Sequence, residues 1–156
     1  MHHSALKNES PNLAIRLTSE IEISDVLQNT KKLKAKALWD TGAMMSAITP
    51  EAARSLSLVS YDRKRVKGIN NEITLAGIAR VCIKLPNMDE IKSDVLICSL
   101  VKDIDLLIGM DIIQLGDFSI SNGAGKTLFS FTIPLLKEKT DLYDKAYAVN
   151  KINNEI

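Results

Sequence analysis

Short runs of alternating apolar and polar residues, separated by turn residues, cover the chain from about residue 13 to residue 133. Successive side chains of a strand point to opposite faces, so this alternation is typical of strands with one buried face. The candidate strands are residues 13–17, 21–23, 33–38, 73–85, 95–100, 118–120 and 128–133. So many short strands at close spacing predict a mostly-β sandwich or barrel.

Two short helices are predicted between these strands. Thr49 and Pro50 precede a pair of alanines, which is typical of an N-cap followed by the first helical residue. The second helix is predicted over residues 110–115. The polar tail is either a surface helix or disordered. The chain is therefore divided into an N-terminal extension (1–11), one folded domain (12–134) and a C-terminal tail (135–156).

The charge of the chain is nearly balanced, with 20 Lys and Arg against 19 Asp and Glu and a formal net charge of +1 over 156 residues. Binding to nucleic acid or to an anionic membrane depends on clustered cations. The densest basic clusters, 31–34 and 63–67, are short and are interpreted as solvated loops or strand edges. Aromatic residues make up only 4%, too few for a base-stacking platform, so no nucleic-acid partner is predicted.

The chain carries no recognisable export or membrane signal. Residues 1–20 lack the apolar run of a secretory signal, and no segment approaches the ~20 apolar residues of a membrane helix. Cys82 and Cys98 lie in apolar stretches, where a reduced cysteine acts as a small hydrophobe. A disulfide between them is the alternative. These features predict a cytoplasmic protein with no membrane partner.

Catalysis by this chain would use carboxylates, because His2 and His3, near the N-terminus, are its only histidines. The sharpest carboxylate motif is Leu-Trp-Asp-Thr-Gly-Ala at residues 38–43. An apolar strand runs directly into Asp40, and Gly42 permits an unusual backbone path. By itself this pattern also fits an ordinary Asp-Gly turn after a strand.

A second motif changes the interpretation of the first. Residues 105–111 read Asp-Leu-Leu-Ile-Gly-Met-Asp. The apolar pair and glycine, Leu107, Ile108 and Gly109, together with Asp-Thr-Gly-Ala, resemble the two motifs of the retropepsin-like aspartic proteases. This family includes the retroviral proteases and the protease domains of some ubiquitin-shuttling proteins. The resemblance covers about residues 13–133 and implies a mostly-β, single-lobe acid-protease barrel with one or two short helices.

The resemblance also implies an aspartic endopeptidase that acts as a homodimer. Two carboxylates about 3 Å apart share one proton and activate a water that attacks the peptide bond. One Asp-Thr-Gly motif supplies one carboxylate, so Asp40 of each subunit would meet at a twofold axis. Thr41 would bond across that axis, Gly42 would let the substrate backbone approach, and Ala43 would complete the supporting loop. The implied partners are a second copy and a peptide or protein substrate, with no metal or organic cofactor.

The family places a glycine-containing hairpin, the flap, between the two motifs. The segment around Gly68 stands at the matching place, so Gly68, Ile69 and Asn70 are predicted to contact substrate. Met44 and Met45 follow the first motif and either line the cleft as adaptable apolar contacts or belong to the core. Met45 is kept as a candidate substrate contact.

Three further features, Trp39, Asp111 and residues 123–127, are interpreted as structural and not as parts of the active site. Trp39 packs either at the dimer axis or, as we expect, in the core. Asp111 opens the second helix, where a carboxylate is favourable, and it is excluded from the active site. Residues 123–127, Gly-Ala-Gly-Lys-Thr, resemble the end of a phosphate-binding loop. They lack its first glycine and precede a strand, so a hairpin turn is predicted instead.

A catalytically silent module, which keeps the fold for dimerisation or peptide binding, is the alternative to an enzyme. The intact motif at 40–43 favours the enzyme. Met44 and Met45 stand where retroviral members often carry acidic residues, and the flap segment has one glycine, which keeps the alternative open. Peptide cleavage distinguishes the two functions.

Overall fold

The computed structural model describes residues 2–26, 30–68 and 71–152. Within these ranges the strands are β1 (Ser4–Glu9), β2 (Thr18–Asp25), β3 (Lys32–Trp39), β4 (Ala47–Ile48), β5 (Asp62–Lys67), β6 (Ile73–Lys84), β7 (Glu90–Ile97), β8 (Leu106–Ile108), β9 (Asp117–Ser121) and β10 (Leu128–Ile133). The helices are α1 (Pro50–Ser55), α2 (Met110–Ile113) and α3 (Leu142–Ile152), with a 3-10 turn at Gly123–Gly125. The mostly-β prediction is confirmed, and β7 ends at Ile97, short of the predicted residue 100.

The larger sheet forms a barrel. Its strand order is β2-β3-β8-β4-β7-β6-β5, and β2 also pairs with β6. Six strands therefore close into a ring, while β5 lies outside it along the edge of β6. Most neighbours are antiparallel, but β3 pairs in parallel with β8, and β4 with β7. Because parallel strands end on the same side, the β3–β8 pair brings the two sequence motifs together.

The smaller sheet contains β1, β10 and β9 in that order. β1 pairs antiparallel with β10 along its whole length, from Ser4 opposite Ile133 to Glu9 opposite Leu128. The sequence pattern predicts no strand here, because the run has one large apolar side chain, Leu6, which is buried in the structure. β1 thus lies within the range 1–11 that was assigned to an N-terminal extension, and it pairs with the last strand of the fold.

The predicted strand at 13–17 is wrong. The segment is irregular in the structure, and Leu13 and Ile15 are 60% and 99% exposed. Its backbone is bonded to a loop side chain instead, since the Ala14 N–H donates to Thr127 Oγ1 at 2.9 Å. An alternating pattern becomes a strand only where a neighbouring strand pairs with its backbone groups.

Trp39 lies in the core, as expected. Its ring centroid is 4.9 Å from that of Phe131, 5.0 Å from Phe129 and 5.8 Å from Phe118. The indole N–H donates to Ser19 Oγ at 3.0 Å, so the polar atom of this buried ring is satisfied. The phenylalanines belong to β9 and β10, and the cluster therefore joins the smaller sheet to the end of β3.

All three helices agree with the sequence-based predictions, and α2 ends at Ile113, two residues before the predicted end. The Ala52 N–H donates to Thr49 Oγ1 at 3.2 Å, which is the expected N-cap of α1, and Pro50 is the first helical residue. α3 has no buried residue, so the tail contains a surface helix, one of the two predicted alternatives. Among the described residues, no helix has the length and apolar character needed to cross a membrane.

The cysteines are free thiols. Cys82 is buried in β6, and Cys98 is half-buried just after β7. Burial raises the pKa of the Cys98 thiol, which keeps it protonated and weakly nucleophilic. Both residues therefore act as small apolar side chains, in agreement with their apolar neighbours in the sequence.

Candidate active site

The Asp-Thr-Gly motif begins where β3 ends, next to the end of β8. Leu38 lies opposite Leu107 and Trp39 opposite Ile108 in the parallel pair. The Asp40 N–H continues this pairing by donating to the Ile108 carbonyl at 2.9 Å. Ile108 is fully buried and Leu107 is half-buried, so the second motif is a fixed support for the first. Asp40 itself is partly exposed at the surface of the barrel.

A tight turn surrounds the Asp40 carboxylate. The Gly42 N–H donates to Asp40 Oδ1 at 2.8 Å, and the Ala43 N–H donates to the Asp40 carbonyl at 3.3 Å. A Cβ atom added at Gly42 would lie 3.1 Å from Oδ1, tighter than an ordinary contact. Thr41 is exposed at the tip of this turn. The turn therefore orients one carboxylate oxygen and leaves Thr41 free to contact another surface.

Gly109 is the point where the two motifs touch. A Cβ atom there would lie 2.8 Å from the Met45 carbonyl carbon and 2.9 Å from the Ala43 carbonyl oxygen. The next residue bonds across the same contact, since the Met110 N–H donates to the Ala43 carbonyl at 2.8 Å. Only a residue without a side chain allows this approach of two backbones. This explains physically why a glycine follows the apolar pair.

Ser46 and Asp111 connect the first loop, residues 40–46 after β3, to α2. The Ser46 hydroxyl donates to Asp111 Oδ1 at 2.8 Å and accepts from the Gly109 N–H at 3.0 Å. The Ser46 N–H donates to the same carboxylate at 3.0 Å, and so does the Ile112 N–H at the start of α2. Asp111 thus has a structural position, as expected from its place at a helix start.

Ser46, which is fully buried, is a residue of the site that the sequence patterns do not predict. Its signal in the sequence is weak: it is a single hydroxyl residue in the apolar run Ala-Met-Met-Ser-Ala-Ile at 43–48. A polar side chain in such a run must find a buried partner, because burial without a hydrogen bond is costly. The partner lies on α2, too far along the chain for a local pattern to identify it.

Replacement of Ser46 by alanine is expected to lower the free energy of unfolding by about 1–3 kcal/mol, because the Gly109 N–H loses its acceptor in a buried site. Urea unfolding measures this change. The matched control is Ser55→Ala, since the exposed Ser55 hydroxyl donates to the Glu51 carbonyl at 3.0 Å. Equal effects of the two substitutions would contradict the bracing role of Ser46.

Met44 and Met45 take different positions. Met44 is 86% exposed, whereas Met45 is half-buried and packs against the small apolar cluster of Ala47, Ala76 and Leu96. Met45 therefore agrees in part with the core alternative, and a contact of either methionine with substrate stays a prediction.

A hairpin formed by β5 and β6 lies beside the first loop. The Gly68 N–H donates to the Glu72 carbonyl at 2.9 Å, and the Asn71 N–H donates to the Gly68 carbonyl at 3.0 Å, so the chain reverses here. The other two candidate contacts of the flap, Ile69 and Asn70, lie outside the described residues. The hairpin lies between the two motifs along the chain, where the resemblance predicts the flap, and its role as a flap stays a prediction.

An open cavity of about 410 Å³ borders Asp40 on the side of residues 14–17 and β9. A larger cavity of about 550 Å³ is lined by residues between Asp25 and Arg80 and does not include Asp40. The chemistry of the residues, rather than cavity size, identifies the candidate site. In the part of the chain that the structure describes, no three His, Cys, Asp or Glu side chains cluster as metal ligands.

A closed barrel in which an Asp-Thr-Gly turn packs on an apolar-apolar-Gly motif defines the retropepsin-like aspartic protease fold. The family model described as "Aspartyl protease" matches residues 23–112, more than half of the chain and both motifs. The chain belongs to this aspartyl protease family.

Solved structures agree with this assignment at the level of the fold. A retropepsin-like aspartic protease from Rickettsia conorii is 18% identical, with a TM-score of 0.54 over 85% of this chain and 97% of that chain. The EIAV protease, complexed with the inhibitor HBY-793, is 22% identical, with a TM-score of 0.50 over 67% of this chain and 91% of that chain. No curated protein sequence gave a significant match. The resemblance drawn from the two motifs is confirmed.

Proposed function

We propose that the protein is an aspartic endopeptidase whose active site contains two Asp40 carboxylates, one from each subunit of a homodimer. The observation that carries this proposal is the Asp40 turn, in which one carboxylate oxygen accepts the Gly42 N–H and the side chain stays accessible. The described chain supplies one such turn. A second copy is the simplest source of the second carboxylate, through an isologous contact.

The proposed chemistry is direct attack of water on the peptide carbonyl. Two carboxylates about 3 Å apart share one proton, because two like charges this close cannot both be ionised. The ionised Asp40 takes a proton from the water as its oxygen attacks the carbonyl carbon, and the protonated Asp40 gives its proton to the carbonyl oxygen. Collapse of the tetrahedral intermediate breaks the C–N bond as the protonated Asp40 gives its proton to the leaving amine. The ionised Asp40 takes a proton from a hydroxyl of the intermediate, which restores the starting state of the pair. No metal or organic cofactor takes part.

The neighbours of Asp40 have assigned roles in this proposal. The exposed Thr41 contacts the partner's turn and holds the two turns together, and Ala43 anchors the turn to the second motif. Gly42 lets the substrate backbone approach the carboxylates. The substrate binds as an extended strand between the turns and the hairpin, held by main-chain hydrogen bonds. The hairpin tip, Gly68 with Ile69 and Asn70, covers it.

Cleavage of a complex peptide mixture, followed by mass spectrometry from about pH 3 to 7, tests the proposal, because this range brackets carboxylate titration. Sedimentation velocity on the same samples gives the oligomeric state. We expect cleavage whose specific activity rises with protein concentration as the dimer forms. A dimer without cleavage would favour a peptide-binding module, and a fully active monomer would contradict the shared site.

A further inference from the structure

The hairpin strand β5 is strongly basic. Arg63, Lys64, Arg65 and Lys67 are all exposed, and within the described residues none of the four forms an ion pair. The first loop, residues 40–46, carries one ionisable side chain, that of Asp40. The acids of the hairpin, Asp62 and Glu72, are fewer than its cations. An exposed surface with unpaired cations of one sign attracts anionic ligands.

The faces of β5 differ, because successive side chains of a strand point to opposite sides. Val66 packs against the apolar cluster of Ala47, Ala76 and Leu96, so residues 62, 64 and 66 form the inner face. Asp62 shares this face but forms no ion pair with Lys64 among the described residues. Arg65 lies opposite Leu75, which is 59% exposed, and belongs to the outer face. Lys64 is therefore the basic residue of β5 that shares a face with Val66.

Lys64 reaches the first loop itself. Its Nζ atom lies 3.1 Å from Met45 Sδ. A thioether is a weak acceptor and cannot neutralise an ammonium group. The Lys64 charge thus lies next to the first loop, and among the described residues it has no anionic partner.

We propose that Lys64 is a specificity-determining residue that selects peptide substrates with Asp or Glu at the position lying against Met45. This inference rests on the proposed function. A substrate carboxylate would complete the missing ion pair as the substrate displaces water, and a charge-assisted hydrogen bond is stronger than a neutral one. A basic side chain at the same position would meet repulsion from Lys64.

The first test aligns the cleavage sites found in the peptide mixture and then uses synthetic peptide pairs that differ by Glu or Gln at the enriched position. For the wild type we expect acidic residues to be enriched at one position. The Glu peptide should have a kcat/KM about tenfold higher than the Gln peptide, in line with an ion pair partly shielded from water. Raising the salt concentration should reduce this ratio, because screening weakens exposed charges.

Variants of β5 distinguish a direct contact between Lys64 and the substrate from the electrostatic attraction of the whole basic strand. In Lys64→Gln, the kcat/KM values of the Glu and Gln peptides should differ by no more than about twofold. Lys64→Glu should cleave a Lys peptide better than the Glu peptide. The matched control is Arg65→Gln, which removes the same charge from the outer face of the same strand. It should keep the ratio within about twofold of the wild type. Lys64 is exposed, so all three variants are expected to fold, which thermal unfolding checks.

The outcomes separate this inference from the proposed function. Cleavage that needs Asp40 but has no acidic preference, or a preference unchanged by Lys64→Gln, would overturn the role of Lys64 and leave the endopeptidase intact. If Lys64→Gln and Arg65→Gln lost the preference equally, the preference would come from the summed charge of the hairpin and not from a direct contact with Lys64. This result would also overturn the role of Lys64. Complete absence of cleavage by the wild type would overturn both.

Discussion

Replacement of Asp40 by asparagine is expected to reduce kcat/KM by at least about 10³-fold, the upper part of the range for loss of acid–base catalysis. An amide cannot take a proton from water or share one with a second carboxylate. The fold should survive, because the asparagine oxygen can still accept the Gly42 N–H that now bonds to Oδ1. Steady-state cleavage of a synthetic peptide measures the loss, and thermal unfolding measures the stability.

The control for this substitution is Asp141→Asn. The Asp141 side chain also accepts backbone N–H groups, from Tyr143 and Asp144, but it lies in the exposed tail. Its replacement should leave kcat/KM within about twofold, as for most surface substitutions. If Asp40→Asn kept more than a tenth of the wild-type activity, the catalytic role of Asp40 would be refuted.

Gly109→Ala is expected to have the second-largest effect. Its methyl group would lie within 2.9 Å of backbone atoms of Ala43 and Met45, which cannot move like a flexible side chain. We expect a loss of about 3 kcal/mol in the free energy of unfolding, as for severe overpacking. The Asp40 turn rests on this contact, so kcat/KM should fall by about 10²-fold in the molecules that remain folded. Urea unfolding and peptide cleavage measure the two effects.

Gly123→Ala is the matched control, because no atom lies within 4 Å of an added Cβ there. It should change the free energy of unfolding by no more than about 0.5 kcal/mol. Similar results for the two glycines would mean that the contact between the motifs is looser than the structure indicates.

The centre of the site could be predicted from sequence because its residues are consecutive. Asp40 to Ala43 form one motif, and Leu107 to Gly109 form the other, so a resemblance was enough to pair them. Ser46 could not be predicted, because its role depends on Asp111, 65 residues further along the chain. The same holds for Lys64, whose contact with Met45 becomes visible only when β5 lies beside the first loop.

The fold was predictable where local chemistry decides the structure. Helix α1 has its N-cap and its proline within two residues, and both act as expected. The predicted strand at 13–17 failed although its alternation is as regular as that of β3, since strand pairing is a long-range property. β1 was missed for the converse reason. Its alternation is weak, and its strand structure depends on hydrogen bonding to β10, which the sequence of β1 does not show.

The central claim, that two Asp40 carboxylates form one active site, is tested most directly by mixed dimers. Wild type and Asp40→Asn chains are unfolded together, refolded at equal total concentration in varied ratios, and assayed for peptide cleavage. If a dimer needs both carboxylates, random pairing of equal amounts should leave about a quarter of the wild-type activity, with a quadratic dependence on the wild-type fraction. A linear dependence, with about half of the activity at the same ratio, would mean that each chain acts alone and would contradict the account.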